Sequence, residues 1–284
     1  MAPGVRIGLR AAACAGLLSL GCAHGGGKTD LATLTSNSDQ VIYEAGEKAL
    51  KKHDYAAARD HFKRIIEAFP QSEYGPAARL EVGDAYFFEG GNANYILAIG
   101  AYREFLTLYP SHLKSDYAQL QVAECYFKQR NGPDRDQTPT QHALEEFQRF
   151  IDIFPDSPLA DAAHARIIVC RQSLARSEFL AGYFYQRTRK AYRSAVLRYE
   201  ALLKDYPDYA QMDEVLYRLG ECLILVGRAS EALPHLAKLL SDYPKSAFLD
   251  EAQKLMASAS SKVPAAPAAV PQPSPSPAAP ETRP

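Results

Sequence analysis

Five times the chain places an alanine, a large apolar residue, an apolar pair and an aromatic at twelve, eight, five and four, and one residues before a proline. The copies are Ala58/Phe62/Ile65/Ile66/Phe69/Pro70, Ala98/Tyr102/Phe105/Leu106/Tyr109/Pro110, Ala143/Phe147/Phe150/Ile151/Phe154/Pro155, Ala195/Tyr199/Leu202/Leu203/Tyr206/Pro207 and Ala232/Leu236/Leu239/Leu240/Tyr243/Pro244. Steps of four and three residues mark one face of an α-helix. The proline ends each helix, because it lacks an N–H and disfavours helix at the residue before it. A small residue one turn from a large one lets two helix backbones approach, a hole beside a knob. Five matches in one register define a repeat protein.

The prolines stand 40, 45, 52 and 37 residues apart. The register inside each second helix never slips, so the extra length falls in loops and first helices. First helices are expected around Ile42–Leu50 (with Gly46), Tyr74–Phe88 (with Gly83-Asp84-Ala85-Tyr86), Asp116–Gln129, Leu159–Arg187 (bent near Gly182) and Met212–Val226 (with Gly220). Asp54 is placed to cap the second helix of the first pair. Repeats are expected over about 39–71, 74–111, 116–156, 159–208 and 212–245, with a capping helix at 246–259. Such pairs cannot bury an apolar face singly, so they stack. The pattern, with Gly-x-x-Tyr upstream, resembles the tetratricopeptide repeat. The expected fold is all-α, an α-solenoid of five helix pairs with a concave surface and a C-terminal cap, within residues 39–260.

The ends differ from this middle. Arg6 and Arg10 precede the short apolar run Ala11–Leu20, which suits a secretory signal of residues 1–21 and is too short to span a bilayer. It closes on Leu18-Ser19-Leu20-Gly21-Cys22, which resembles the bacterial lipoprotein box with Ser19 and Leu20 exchanged. Cys22 is the expected lipidation site; Cys14 has too little apolar sequence before it. Ala23, where an inner-membrane lipoprotein of enterobacteria carries aspartate, implies the periplasmic face of the outer membrane. Residues 22–38 read as a polar, Gly-rich tether spanning on the order of 20 Å, and 261–284 as a Pro/Ala-rich disordered tail.

Charge is nearly balanced, 32 basic against 33 acidic residues. With no Trp and no aromatic-basic stripe, nucleic acid is excluded as a partner. Gly27-Lys28-Thr29 lacks the earlier glycine and the strand of a phosphate loop. Histidines show no ligand spacing, Cys125, Cys170 and Cys222 read as small buried hydrophobes, and no nucleophile motif occurs. No cofactor, metal or enzymatic activity is expected.

Several less generic segments accompany the repeats. They are Phe69-Pro70-Gln71-Ser72-Glu73-Tyr74, Pro110-Ser111-His112 with Asp116-Tyr117, the insertion Arg130–Thr140 carrying Asp134-Arg135-Asp136, and Tyr183-Phe184-Tyr185 with Arg187. Over roughly 39–250 they resemble the BamD family, lipoproteins of the outer-membrane β-barrel assembly machinery. The turn after Arg187 is about two residues longer than the family pattern, and the tail lies outside it. The resemblance implies a scaffold that binds unfolded outer-membrane proteins through amino-terminal repeats, docks on the POTRA domains of BamA through carboxy-terminal ones, and meets other Bam lipoproteins. An adaptor for another envelope process, such as division-coupled peptidoglycan coordination or secretin assembly, is the alternative.

Candidate partner-binding residues each have a structural reading beside the functional one. Tyr74, His112, Asp116 and Tyr117 serve local packing and capping or face a ligand. Asp134, Arg135 and Asp136 pin a loop or touch a partner. Tyr185, Arg187 and Arg189, with Lys190 and Arg193, form a solvated face or dock on an acidic surface.

Overall fold

A computed structural model describes residues 38–262; Cys22, residues 22–37 of the expected tether and residues 263–284 of the expected tail lie outside the described residues, while 261–262, expected in the tail, belong to the last helix. Among these residues the chain forms eleven helices and no strand. They are α1 (Asp39–Lys51), α2 (Tyr55–Ala68), α3 (Gly75–Glu89), α4 (Asn92–Leu108), α5 (Ser115–Lys128), α6 (Thr138–Ile153), α7 (Ala160–Arg187), α8 (Tyr192–Asp205), α9 (Met212–Leu225), α10 (Ala229–Asp242) and α11 (Leu249–Lys262). Each helix packs on its neighbour in sequence, and α11 also reaches α9. This is a helical solenoid of repeated pairs. The last helix begins three residues later than its pattern suggests, because Ser246 caps the turn before it through the Phe248 N–H.

The sequence motif is the core. Its alanine, its large residue and the first of its apolar pair are fully buried in all five copies, from Ala58, Phe62 and Ile65 to Ala232, Leu236 and Leu239. The second of the apolar pair, Ile66, Leu106, Ile151, Leu203 or Leu240, is partly buried at the rim. The aromatic before each proline ends its helix in one shared conformation, φ −123 to −133° and ψ 56 to 63°. Its N–H still closes the helical bond to the carbonyl four residues back. Asp54 accepts the Ala57 N–H at 3.1 Å as its N-cap role requires.

The hole opposite four of the five knobs is a glycine of the first helix. A Cβ on Gly46, Gly83 or Gly182 would lie 2.6 Å from the ring of Phe62, Tyr102 or Tyr199, and one on Gly220 2.7 Å from Leu236. In the third pair Ala123 stands in the glycine's place, fully buried.

Helix α7 is 28 residues long and hydrogen-bonded through Gly182, so that glycine makes no break. Its role is the contact with Tyr199. The length serves two layers: Ala163 and Cys170 join the core around Phe147 and Phe150, while Ala175 and Phe179 join the one around Tyr199 and Leu216.

Candidate protein-binding surface

Helices α1, α3 and α5 bring aromatic and acidic side chains together. Tyr74 lays its ring on Tyr43, centroids 5.0 Å apart and planes 29° apart, and Phe248 stacks on Tyr217 at 5.1 Å and 16°. Both stand four residues after a repeat proline. At the same position Leu159 packs into the third core. Gln211 is held by the Tyr209 hydroxyl and by Arg176, each at 2.9 Å. Lys114, the remaining case, is exposed, its Nζ 5.7 Å from the centre of the Tyr117 ring. The linker after the second pair therefore lacks a plug.

Polar groups are buried among α3, α4 and α5. Asp84, 6% exposed, accepts from the Tyr102 hydroxyl at 2.5 Å and from Tyr117 at 2.9 Å. Burial raises the Asp84 pKa against the pull of those two bonds and of Lys114. Glu81 is pushed up to about 7 by burial and then by Asp84 and Glu47, with Lys114 opposing. Burial and the same three carboxylates push the Tyr43 hydroxyl up to about 12. One turn beyond Tyr117, the carboxamide oxygen of Gln121 is buried with no hydrogen-bond partner.

His112 and Asp116 hold linkers in place. Nδ1 of His112 accepts the Lys114 N–H at 3.1 Å, the office that Ser72, Ser157 and Ser246 perform for Tyr74, Leu159 and Phe248. Its ring stands edge-on to Phe105 at 5.3 Å. Asp116 accepts from Ser157 Oγ at 2.7 Å, just as Asp39 accepts from Ser72 and Asp213 from Ser246, each at 2.6 Å. The serine two residues past the proline is thus a second repeated motif, one the apolar pattern does not reveal.

The insertion before α6 is internally braced. Gln137, 9% exposed, donates to the carbonyls of Gly132 (2.7 Å) and Arg135 (3.0 Å) and accepts from Thr140 (3.0 Å) and from Ser173 of α7 (3.4 Å). Asp136 accepts from the hydroxyl (2.7 Å) and N–H (3.1 Å) of Thr138, which hold its carboxyl below its ordinary range. Asp134 and Arg135 are exposed and border a cleft of about 400 Å³ with Leu180, Phe184 and Tyr185 of α7 and Arg198 of α8. The insertion and the tyrosine-rich helix, distant in sequence, therefore share one cleft.

The basic cluster divides. Arg189 lies against Phe184, 5.7 Å from its centre, beside the cleft. Arg187 turns to Tyr183 and stands 3.9 Å from Glu221. Arg218 fills the space among Tyr183, Tyr217 and Phe248. Among the described residues no carboxylate lies within ion-pair distance of Arg135, Arg189, Lys190 or Arg193, so this edge keeps its positive charge for solvent or a partner.

Cys125, Cys170 and Cys222 are free and fully buried; burial pushes their thiols up to about 12, 11 and 12. Among the described residues no group of His, Cys, Asp and Glu could hold a metal ion, and no helix is long and apolar enough to cross a membrane.

Residues 214–246 match a tetratricopeptide-repeat model. The "Outer membrane protein assembly factor BamD" of Caulobacter vibrioides is 29% identical over 238 residues, 83% of this chain and 76% of the relative. Its namesake in Rickettsia prowazekii is 27% identical over 216 residues, 76% of this chain and 84% of that one. Among solved structures, the tetratricopeptide domain of P58(IPK) is 17% identical with a TM-score of 0.40, over 80% of this chain and 56% of that one. Residues 35–224, two thirds of the chain, match the model of the YfiO outer membrane lipoprotein family. The chain belongs to the YfiO family of outer membrane lipoproteins.

Proposed function

We infer that this chain is the assembly-factor subunit of the outer-membrane β-barrel assembly complex, a scaffold without catalytic activity, anchored through a lipid on Cys22 at the periplasmic face. The observation that carries the reading is the agreement of relatives from several bacteria, matched over most of their length and all named outer membrane protein assembly factor BamD. The protein acts by positioning. A rigid stack of pairs presents preordered surfaces, which lowers the entropic cost of holding an extended polypeptide.

Within this reading, the surface of Tyr43, Tyr74 and Tyr117 receives unfolded outer-membrane proteins. The cleft of Asp134, Arg135 and Tyr185, with Arg189 beside it, docks on the POTRA domains of BamA; the unpaired cations there suit an acidic patch. Affinity purification of the full chain from membranes tests it. Recovery of BamA and loss of outer-membrane proteins on depletion are expected. Recovery of peptidoglycan-division or secretin components instead, with outer-membrane protein levels unchanged, would establish the adaptor alternative.

A further inference from the structure

The linkers that follow the repeat prolines carry two clefts in equivalent places. One, of about 360 Å³, lies between the second and third linkers, and the other, of about 350 Å³, between the fourth and fifth. Counted from the prolines, Ala210, Asp242 and Lys245 of the later cleft stand where the earlier one carries Leu113, Ile153 and Asp156. The later lining suits water. In the earlier cleft Leu113 is 90% exposed and Ile153 55% exposed, on a wall that Phe154 and Pro155 continue. Leu108, two residues before its proline as Ile153 is, is 49% exposed, while the fourth and fifth pairs place Asp205 and Asp242 there. The fold accepts aspartate at this position, so the leucine and isoleucine are not needed for packing, and contiguous apolar surface of this kind marks a contact.

We propose that this edge holds the chain's own amino-terminal segment, with Leu31 in the cleft against Leu113 and Ile153, Leu34 over Leu108, and Lys28 near Asp156. The chain enters the stack at that edge: Ser38 caps α1, and Asp39 accepts from Ser72 of the first linker at 2.6 Å. The cleft lies two helix layers further along, on the order of 20 Å. Residues 31–37 reach about 24 Å when extended, which brings Leu31 to it. Between Cys22 and Ser38, Leu31 and Leu34 are the large apolar residues and Lys28 is the lysine. The two leucines stand about 10 Å apart in an extended chain, which matches one step of the stack from Ile153 back to Leu108. Charge points the same way, since Asp156 has no cation within ion-pair distance and the later cleft has Lys245 in its place. A segment joined so near its site is present at an effective concentration on the order of millimolar. Docking leaves residues 22–30 as the span to the membrane and turns the second and third linkers toward it. That orientation rests on the Cys22 anchor of the reading above; the docking does not.

The chain has no tryptophan, so Leu31→Trp places a single fluorophore at the proposed contact. In the full chain purified in detergent micelles, its emission is expected at shorter wavelength than that of free N-acetyltryptophanamide, with weaker quenching by acrylamide. Leu113→Ala combined with Ile153→Asp gives the cleft the lining of its later counterpart and should return both readings to solvent values. Asp156→Lys, a change at the exposed rim that leaves the apolar wall intact, should move them in the same direction. A solvent-like tryptophan beside the unaltered cleft overturns the proposal. A blue shift that survives these substitutions overturns it too, since the tryptophan has then entered the micelle or another surface. A blue shift that appears only as protein concentration rises places a neighbouring copy's segment in the cleft and overturns docking within one chain.

Discussion

Gly182 and Tyr199 touch so closely that a Cβ on the glycine would lie 2.6 Å from Cε1 of the ring. The ring cannot yield, because it is fully buried and its hydroxyl donates to Gln186 at 3.0 Å. Gly182→Ala should therefore destabilise the fold by roughly 2–3 kcal/mol through overpacking. Gly100 supplies the contrast, since nothing lies within 4 Å of its Cβ position in α4. There alanine should stabilise by about 0.5–1 kcal/mol through helix propensity alone. Urea denaturation of both variants would show opposite signs.

The Ser157–Asp116 bond makes a second prediction. Ser157→Ala removes a donor to Asp116 and an acceptor for the Leu159 N–H, with an expected cost of about 1–2 kcal/mol. The matching change Ser246→Ala should cost a similar amount at the last linker. Because Asp116 is engaged inside the chain, Asp116→Ala should lower stability while leaving BamA recovery per folded molecule unchanged. A selective loss of BamA would reverse that assignment.

The helix pairs were legible because their signal is local. Alanine, aromatic and proline sit within thirteen residues of one another, and burial of Ala143, Phe147 and Phe150 follows from helical period alone. The polar staples were not, because Ser157 and Asp116 meet across 41 residues and either residue alone reads as a cap. The double duty of α7 was hidden for a similar reason. Its first half serves the third core and its second half the fourth pair, and only stacking separates them at Cys170 and Ala175. Asp134-Arg135-Asp136 stands out as an insertion, yet the fold-back that sets Asp134 and Arg135 beside Phe184 and Tyr185 spans about fifty residues and is not encoded in local spacing.

Glu81 should make stability depend on pH. Its folded pKa of about 7 lies above its ordinary value, so the folded state holds the proton more tightly than the unfolded chain does. The stability this gives is complete below the ordinary carboxylate range and disappears as pH rises through about 7. Asp84, also raised by burial, acts with the same sign, and Lys114 opposes both. Glu81→Gln should thus raise the stability at pH 8 by about 1 kcal/mol, discounted for partial exposure, and change little at pH 5. Thermal melts of both proteins at the two pH values decide this; a larger gain at pH 5 would contradict it.

The brace at Gln137 tests whether the insertion acts as a rigid surface. Its amide holds two carbonyls of the loop while its oxygen accepts from α6 and α7, so it couples Gly132–Arg135 to the helix that carries Phe184 and Tyr185. Gln137→Ala leaves those carbonyls without their donor and two hydroxyls without an acceptor, costing about 1–3 kcal/mol locally. Amide exchange should quicken at residues 132–136 and stay unchanged in α10, far along the stack, because each pair touches only its neighbours. If the cleft docks a partner, this loosening should weaken BamA recovery about as much as Arg189→Glu, although Gln137 itself is nearly inaccessible. The two substitutions would reach one interface by different routes, one by releasing its wall and the other by reversing the charge beside it.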